Sequence, residues 1–497
     1  MVDIAAALPA ARRNRFGVSL PLVFGVVAYI AAVGWGRRVL GDPDTFWHIA
    51  VGHWIRAHHA APHEGIFSYP MAHVPWVAHE WLSEALLATI YDHFGWSGLV
   101  VAAAGSAALA IALLLRLLLC WLEPAHAMLA TALGWDLAFF HVAARPHVFT
   151  LPLLVFWVGQ LAVAREKEQA PPLWLAPLLL LWANLHASWA LALGLAGLLG
   201  AEAVVLAADW PARWRAVRGW GLFCLVGFVA VCITPYGLDG LLLPFRLTSM
   251  TVAMQVVAEW RSPNFQPFHP LELWIALVFA GGLSLGWRLP WPRALIVMVL
   301  LHMTLQHQRY IDVLGLVSPL LMAPAIGRQL AALMAGRAVS AVDRGALELS
   351  KPATPAGFGI GAAALLVASL FLLRHGEAPP DGAGGFSPNA ALAAVAAAHV
   401  PGPVLNDYDF GGYLIFRGMP PMIDGRNELY GDAYIKRYTQ ATQVLSDALP
   451  GLLDEYHVGW TLLEPRSPAV VLLDHLQGWH RLYTSEMAVV HVRDQTK

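Results

Sequence analysis

Charge is scarce in this sequence. Asp, Glu, Lys and Arg make up 13% of its 497 residues, against a hydrophobic share of 58%. Ordinary soluble domains carry about twice that share of charge. So little charge excludes a disordered chain, and so much apolar surface exceeds what a water-facing core buries. Cysteine is scarcer still. Cys120, Cys224 and Cys232 all lie in apolar runs, which excludes a disulfide framework and a CxxC metal site. The net charge of −2 shows no basic excess, so nucleic acid is not an expected partner. Walker A and GxGxxG signatures are absent, and so is an internal repeat.

What is present is a series of long apolar runs. A spanning helix needs about 20 mostly apolar residues. Eleven segments approach that length: 18–36, 97–121, 125–143, 147–164, 172–186, 188–208, 219–235, 270–287, 291–306, 309–327 and 356–374. The expected fold class is an α-helical polytopic membrane protein. The first segment reads as a retained span, because no small-residue cleavage site precedes Arg37-Arg38. With a cytoplasmic N-terminus, the inner loops carry 14 Lys and Arg, including Arg213, Arg293 and Arg337, and the outer segments carry 7. That bias sets the orientation. An odd number of spans then leaves the C-terminal region outside.

Two domains are expected: a transmembrane domain over 1–375, with a long first outer loop at 37–96, and an extracytoplasmic α/β domain over 376–497. The Pro379-Pro380-Asp381-Gly382 run and Gly384-Gly385 read as a linker. Strand-like runs at 403–405, 460–463 and 488–492 alternate beyond it with helical patterns at 433–447 and 467–477.

The polar residues of the spanning part gather at the outer ends. Asp42 and Asp44 open the first outer loop and are followed by an amphipathic stretch, expected to lie in the membrane interface. Either aspartate also suits a helix cap, and one can cap while the other is free for chemistry. Glu80 stands at the head of a second short helix, 79–93, as a site carboxylate or as a helix-terminal charge. Trp76 and Trp81 read as interface-belt anchors. Arg145 and His147 follow the third span, His307 and Arg309 precede the tenth, and together they suit a phosphate clamp. Snorkelling toward headgroups is the alternative for the arginines. His186, among apolar neighbours and flanked by Asn184, is a further candidate for substrate or phosphate binding. In the outer region Asp407 and Asp409 have turn chemistry, and Arg426 suits a contact with the membrane domain or a substrate. Polar groups at membrane depth are costly and line cavities or functional sites.

The runs DPDTFWHIAVGHWI, PWVAHEWLSE, WANLHAS, TPYGL, EWRSP, HQRYI and NDYDFGGYL…IDGRNELYGD resemble, along nearly the whole chain, a bacterial group within the GT-C superfamily. Those are integral-membrane glycosyltransferases that use polyprenyl-phosphate-linked sugars. The resemblance implies transfer to a glycan, lipid or protein acceptor at the outer face of the inner membrane, within the cell envelope. It implies that Asp42 or Asp44 is the catalytic base of an inverting displacement, and that Arg145 and Arg309 stabilise the leaving phosphate. A divalent cation, Mg2+ or Mn2+, at Asp42 and Asp44 is the cofactor it allows. Many members place an acidic residue where this chain reads Arg145-Pro146-His147, and an arginine there would do the cation's electrostatic work. A flippase or transporter for a lipid-linked substrate, and a non-catalytic protein of polysaccharide assembly, are the rival readings. The outer bias of the polar residues counts against alternating access.

Overall fold

The computed structural model describes residues 14–335, 340–380 and 385–494. The orientation charges Arg12, Arg13 and Arg337 and the 381–384 part of the linker lie outside the described residues.

Each of the eleven apolar segments contains a helix. Five helices are long and apolar enough to cross a membrane: Trp81–Leu118, Pro146–Glu166, Trp210–Val231, Gln308–Leu333 and Pro355–His375. Their starts follow the cap rules. Ser19, Asp209 and Thr354 each accept a backbone N–H of the first turn of their helix, with a proline just inside it. Gly134 and Gly315 let two helices touch: a Cβ on Gly134 would lie 2.7 Å from the Gly315 carbonyl oxygen. Small residues at such crossings are how spans pack closely. Gln308–Leu333 is the most buried of the five and Pro355–His375 the most exposed. The protein is thus a polytopic helical membrane protein with a small C-terminal sheet.

The expected helix over 79–93 and the second span are one element, Trp81–Leu118, broken at Gly95 (φ 61°, ψ −158°). The inner side also differs from expectation. Arg293 is buried, and it grips Glu202 through two nitrogens, each at 2.7 Å, with Arg165 at 3.4 Å. Every Glu202 oxygen is used, so this is a closed ion pair inside the bundle.

The C-terminal sheet has the order β1-β2-β4-β3. Strands β1 (Val404–Asn406) and β2 (Trp460–Leu463) are parallel, and β3 (Trp479–Thr484) and β4 (Val489–Arg493) add antiparallel pairs. The sheet does not stand apart from the bundle. Helix Asp44–His58 lies between them: Ile49 packs into the bundle, Phe46 joins Val404, Leu414 and Val490, and Trp47 and Val51 join Leu405, Ile423 and Tyr430. The amphipathic stretch is therefore an internal helix, because both of its faces find apolar partners. The same holds for the two tryptophans. Trp76 is buried and donates to Glu428 at 2.9 Å, and Trp81 donates to Asn184 at 2.8 Å, so neither is a belt anchor.

Candidate active site

The site starts from the Asp44 helix. Asp42 Oδ1 accepts the Asp44 backbone N–H at 2.9 Å. That satisfies one of the donors a helix start leaves open. Asp42 is thus the cap, and its other oxygen is 3.1 Å from Arg145 Nη1. Asp44 Oδ2 is 2.9 Å from Arg145 Nη2, and Asp44 Oδ1 accepts from Trp47 Nε1 at 2.9 Å. Glu259 completes the group by accepting from Arg145 Nη1.

Three carboxylates surround one guanidinium, and one positive charge cannot balance all three. Their protons therefore sort by surroundings. Burial outweighs the pull of Arg145 and, with Asp42 and Glu259 nearby, holds Asp44 up at about 8. Burial acts on Glu259 in the same direction, but Arg145, Arg309 and His147 bring it down to about 2. Burial thus holds the Asp44 carboxyl up while the two arginines hold Glu259 down.

Arg309 and His307 reach the same place from the tenth span. His307 Nδ1 meets the Trp260 carbonyl oxygen at 2.5 Å, and the Arg309 guanidinium lies 4.2 Å from the Trp260 ring centre. Among the described residues Arg309 makes no ion pair. Glu259 stands between the two arginines and feels both. His147 Nε2 bonds the His141 carbonyl oxygen at 2.9 Å, so it braces the loop that carries Arg145. A cavity of about 650 Å3 reaches Asp42 from the side of the bundle, past Trp35, Arg37, Arg38, Phe140 and Glu377.

The C-terminal region closes over this group. A Cβ on Gly425 would lie 1.9 Å from Asp44 Oδ1, and one on Gly412 would lie 2.4 Å from the Pro43 carbonyl oxygen. Only glycine allows backbone that close. Arg426 is fully buried beside Gly425. Its Nε and Nη2 each lie 2.7 Å from Asp424, and its guanidinium lies over Trp76 of the first outer loop at 4.9 Å. It is therefore a contact with the membrane part, held by Asp424. Asp407 caps the 408–410 turn by accepting the Asp409 N–H at 3.2 Å.

One helical turn behind Asp44 lies a second polar group. His48 Nδ1 is 3.2 Å from Glu84, and His48 Nε2 is 3.8 Å from Glu80. Glu80 also has His186 Nε2 at 3.3 Å and His79 Nε2 at 3.7 Å. The Ser188 N–H donates to His186 Nδ1 at 3.1 Å, which leaves the ring proton on Nε2, facing Glu80. Glu80 is a member of this deeper group and makes no contact with Arg145 within ion-pair distance.

No family model matches the sequence, and no curated protein matches it. Solved structures match by shape. The oligosaccharyltransferase of Archaeoglobus fulgidus, solved with a tethered acceptor peptide, superposes with a TM-score of 0.51 at 13% identity, over 89% of this chain and 68% of that one. The chain shares the fold of that oligosaccharyltransferase. ArnT from Cupriavidus metallidurans, solved with undecaprenyl phosphate, gives a TM-score of 0.46 at 14% identity, over 94% and 97% of the two chains. At such identities the likeness shows the fold, and activity has to be argued from the site.

Within this fold, Asp42, Asp44, Arg145 and Glu259 come together, with His147 bracing the loop of Arg145 and Arg309 acting on Glu259 through its charge. Glu80 and His186 belong to the deeper group. The sequence places Glu259 and His48 in the outer polar runs EWRSP and DPDTFWHIAVGHWI without giving them a role, and Glu84 goes unnoticed. The i, i+4 spacings of Asp44 with His48 and of Glu80 with Glu84 were the available signal, since such pairs share a helix face.

Proposed function

We propose that this chain is a glycosyltransferase that moves a sugar from a polyprenyl-phosphate-linked donor to a glycan, lipid or protein acceptor at the outer face of the bacterial inner membrane. The observation that carries this reading is Asp44. It heads an internal helix beside Asp42, Arg145 and Glu259, and it gains and loses its proton near pH 8. A base poised near the working pH is what general-base catalysis needs.

In the proposed reaction Asp44 takes the proton of the acceptor hydroxyl while that oxygen bonds to the anomeric carbon. The bond from the anomeric carbon to the phosphate oxygen breaks on the opposite face, with inversion. The polyprenyl phosphate leaves with the electron pair. Arg309, held over Trp260 and without an ion-pair partner among the described residues, meets the growing negative charge. The donor approaches from lipid through the cavity beside Trp35 and Phe140, where Arg37 and Arg38 suit its phosphate.

The divalent cation that the resemblance allows does not fit at Asp42 and Asp44. The Arg145 nitrogens stand between the carboxylates, at 3.1 and 2.9 Å from two of them. Arg145 supplies the positive charge there and holds the trio in register, and no step is routed through a metal. The test is transfer of labelled sugar from endogenous lipid-linked donors in membranes carrying Asp44→Asn or Asp42→Asn. Loss in Asp44→Asn at normal expression is expected. Full transfer in both variants, or flipping of a lipid-linked substrate without transfer, overturns the reading.

A further inference from the structure

The proposed reaction leaves the deeper group of His48, Glu80 and Glu84 unused. It is sealed: the His48 and Glu84 side chains are each 1% exposed and Glu80 is 11% exposed. Two carboxyl groups and one imidazole are packed together out of water, where polar groups need a hydrogen bond, a partner or a metal. No arginine or lysine lies within ion-pair distance of Glu80 or Glu84 among the described residues.

Two features go beyond an acidic cluster. His48 Nε2 and Glu84 Oε2 are buried and have no hydrogen-bond partner among the described residues. His48 Nε2 faces Glu80 Oε2 across 3.8 Å. A shared proton would draw such a pair to about 2.7–3.2 Å. Two ligands on one tetrahedral zinc ion, with bonds of about 2.1 Å, stand about 3.4 Å apart. One ligand atom each from His48, Glu80 and Glu84 lies within 4.8 Å of the others. The surroundings are already ordered: His186 Nε2 lies 3.3 Å from the far oxygen of Glu80, and Ser188 fixes the His186 tautomer. Partners that orient ligands in this way accompany bound metals.

We propose that His48, Glu80 and Glu84 bind a divalent first-row transition cation of the Zn2+ type. Imidazole with carboxylate favours Zn2+ over Mg2+ or Ca2+. The ion ties helix Asp44–His58 to the start of Trp81–Leu118 and so fixes Asp44, one turn away on the same helix. Binding of the ion is independent of the transfer reading, and only its role in positioning Asp44 as the base rests on that reading.

The experiment uses the full chain in detergent, stripped with a chelator and reloaded with Zn2+. Elemental analysis is expected to find one Zn2+ per chain, and X-ray absorption a shell of nitrogen and oxygen ligands that includes imidazole. His48→Ala and Glu84→Gln are expected to weaken binding by about 100-fold. Asp407→Asn, in the separate Asp407–Asp409–Glu464 cluster, keeps the ion. If the two buried variants fail to fold, the wild-type absorption spectrum decides alone. A stripped wild type that takes up no Zn2+ at micromolar concentration overturns the proposal. So does a shell without imidazole, or binding that survives His48→Ala and is lost in Asp407→Asn.

Discussion

Gly425→Ala is the sharpest probe of the site, because it adds one methyl group against Asp44, the carboxylate proposed as the base. The new Cβ would sit 1.9 Å from Asp44 Oδ1 and 3.0 Å from Trp47 Nε1. Real Cβ contacts start at 3.0 Å, so the gap must open by at least 1.1 Å. The Asp44 bonds to Trp47 and Arg145 are each 2.9 Å long, and a shift of that size takes them beyond hydrogen-bond reach. Overpacking costs about 1–3 kcal/mol, a modest loss for a chain this large. A misplacement of about 1 Å at a reacting group costs about 100-fold in rate. The assay is transfer by purified protein, with Tm measured on the same sample. The expectation is about a 100-fold fall in rate and a Tm lowered by only a few degrees. Gly451→Ala is the control, since a Cβ there meets nothing within 4 Å. Full activity in Gly425→Ala with a lowered Tm refutes the reasoning, because it means the loop retreats and Asp44 is not held by it.

Three further outcomes are expected. The transfer rate rises with pH through about 8 and then levels, because Asp44 works deprotonated and its ionised fraction falls tenfold per pH unit below that point; an initial-rate profile reads this, and Glu259, ionised above about 2, adds no second limb near neutrality. Arg309→Ala lowers kcat by about 100- to 1,000-fold through lost stabilisation of the leaving phosphate, measured with saturating donor. Glu202→Gln destabilises the bundle by about 3–5 kcal/mol by leaving Arg293 buried and unpaired, whereas Glu202→Leu with Arg293→Met recovers most of the loss in a thermal melt.

The sequence reading reached furthest where the signal is local. Each of the eleven apolar segments holds a helix, and five of those helices are long and apolar enough to cross a membrane, because a span must satisfy its own backbone. The strand-like runs at 403–405, 460–463 and 488–492 are β1, β2 and β4. It failed at β3, an edge strand whose WHRLYT sequence is largely exposed and carries no apolar alternation. It also failed wherever a partner is chosen in space. Arg293 reads as an orientation charge, yet it pairs with Glu202, 91 residues away. Arg145 reads as a phosphate clamp, and the structure surrounds it with three carboxylates. Helix Asp44–His58 reads as interfacial because half of its apolar surface belongs to a sheet formed some 360 residues later. Periodicity encodes which face is apolar and says nothing of what covers it.

The central claim is that Asp44 does the chemistry rather than the binding. Asp44→Asn keeps the size, the Trp47 bond and the cap at Asp42 while removing the proton acceptor and the ion pair with Arg145. Its donor affinity and its single-turnover transfer rate, measured on one purified sample, separate the two roles. The account predicts near-normal donor binding with transfer slowed by at least about 100-fold, the lower range for a lost general base. Transfer at the wild-type rate, or a loss wholly explained by weaker donor binding, contradicts it.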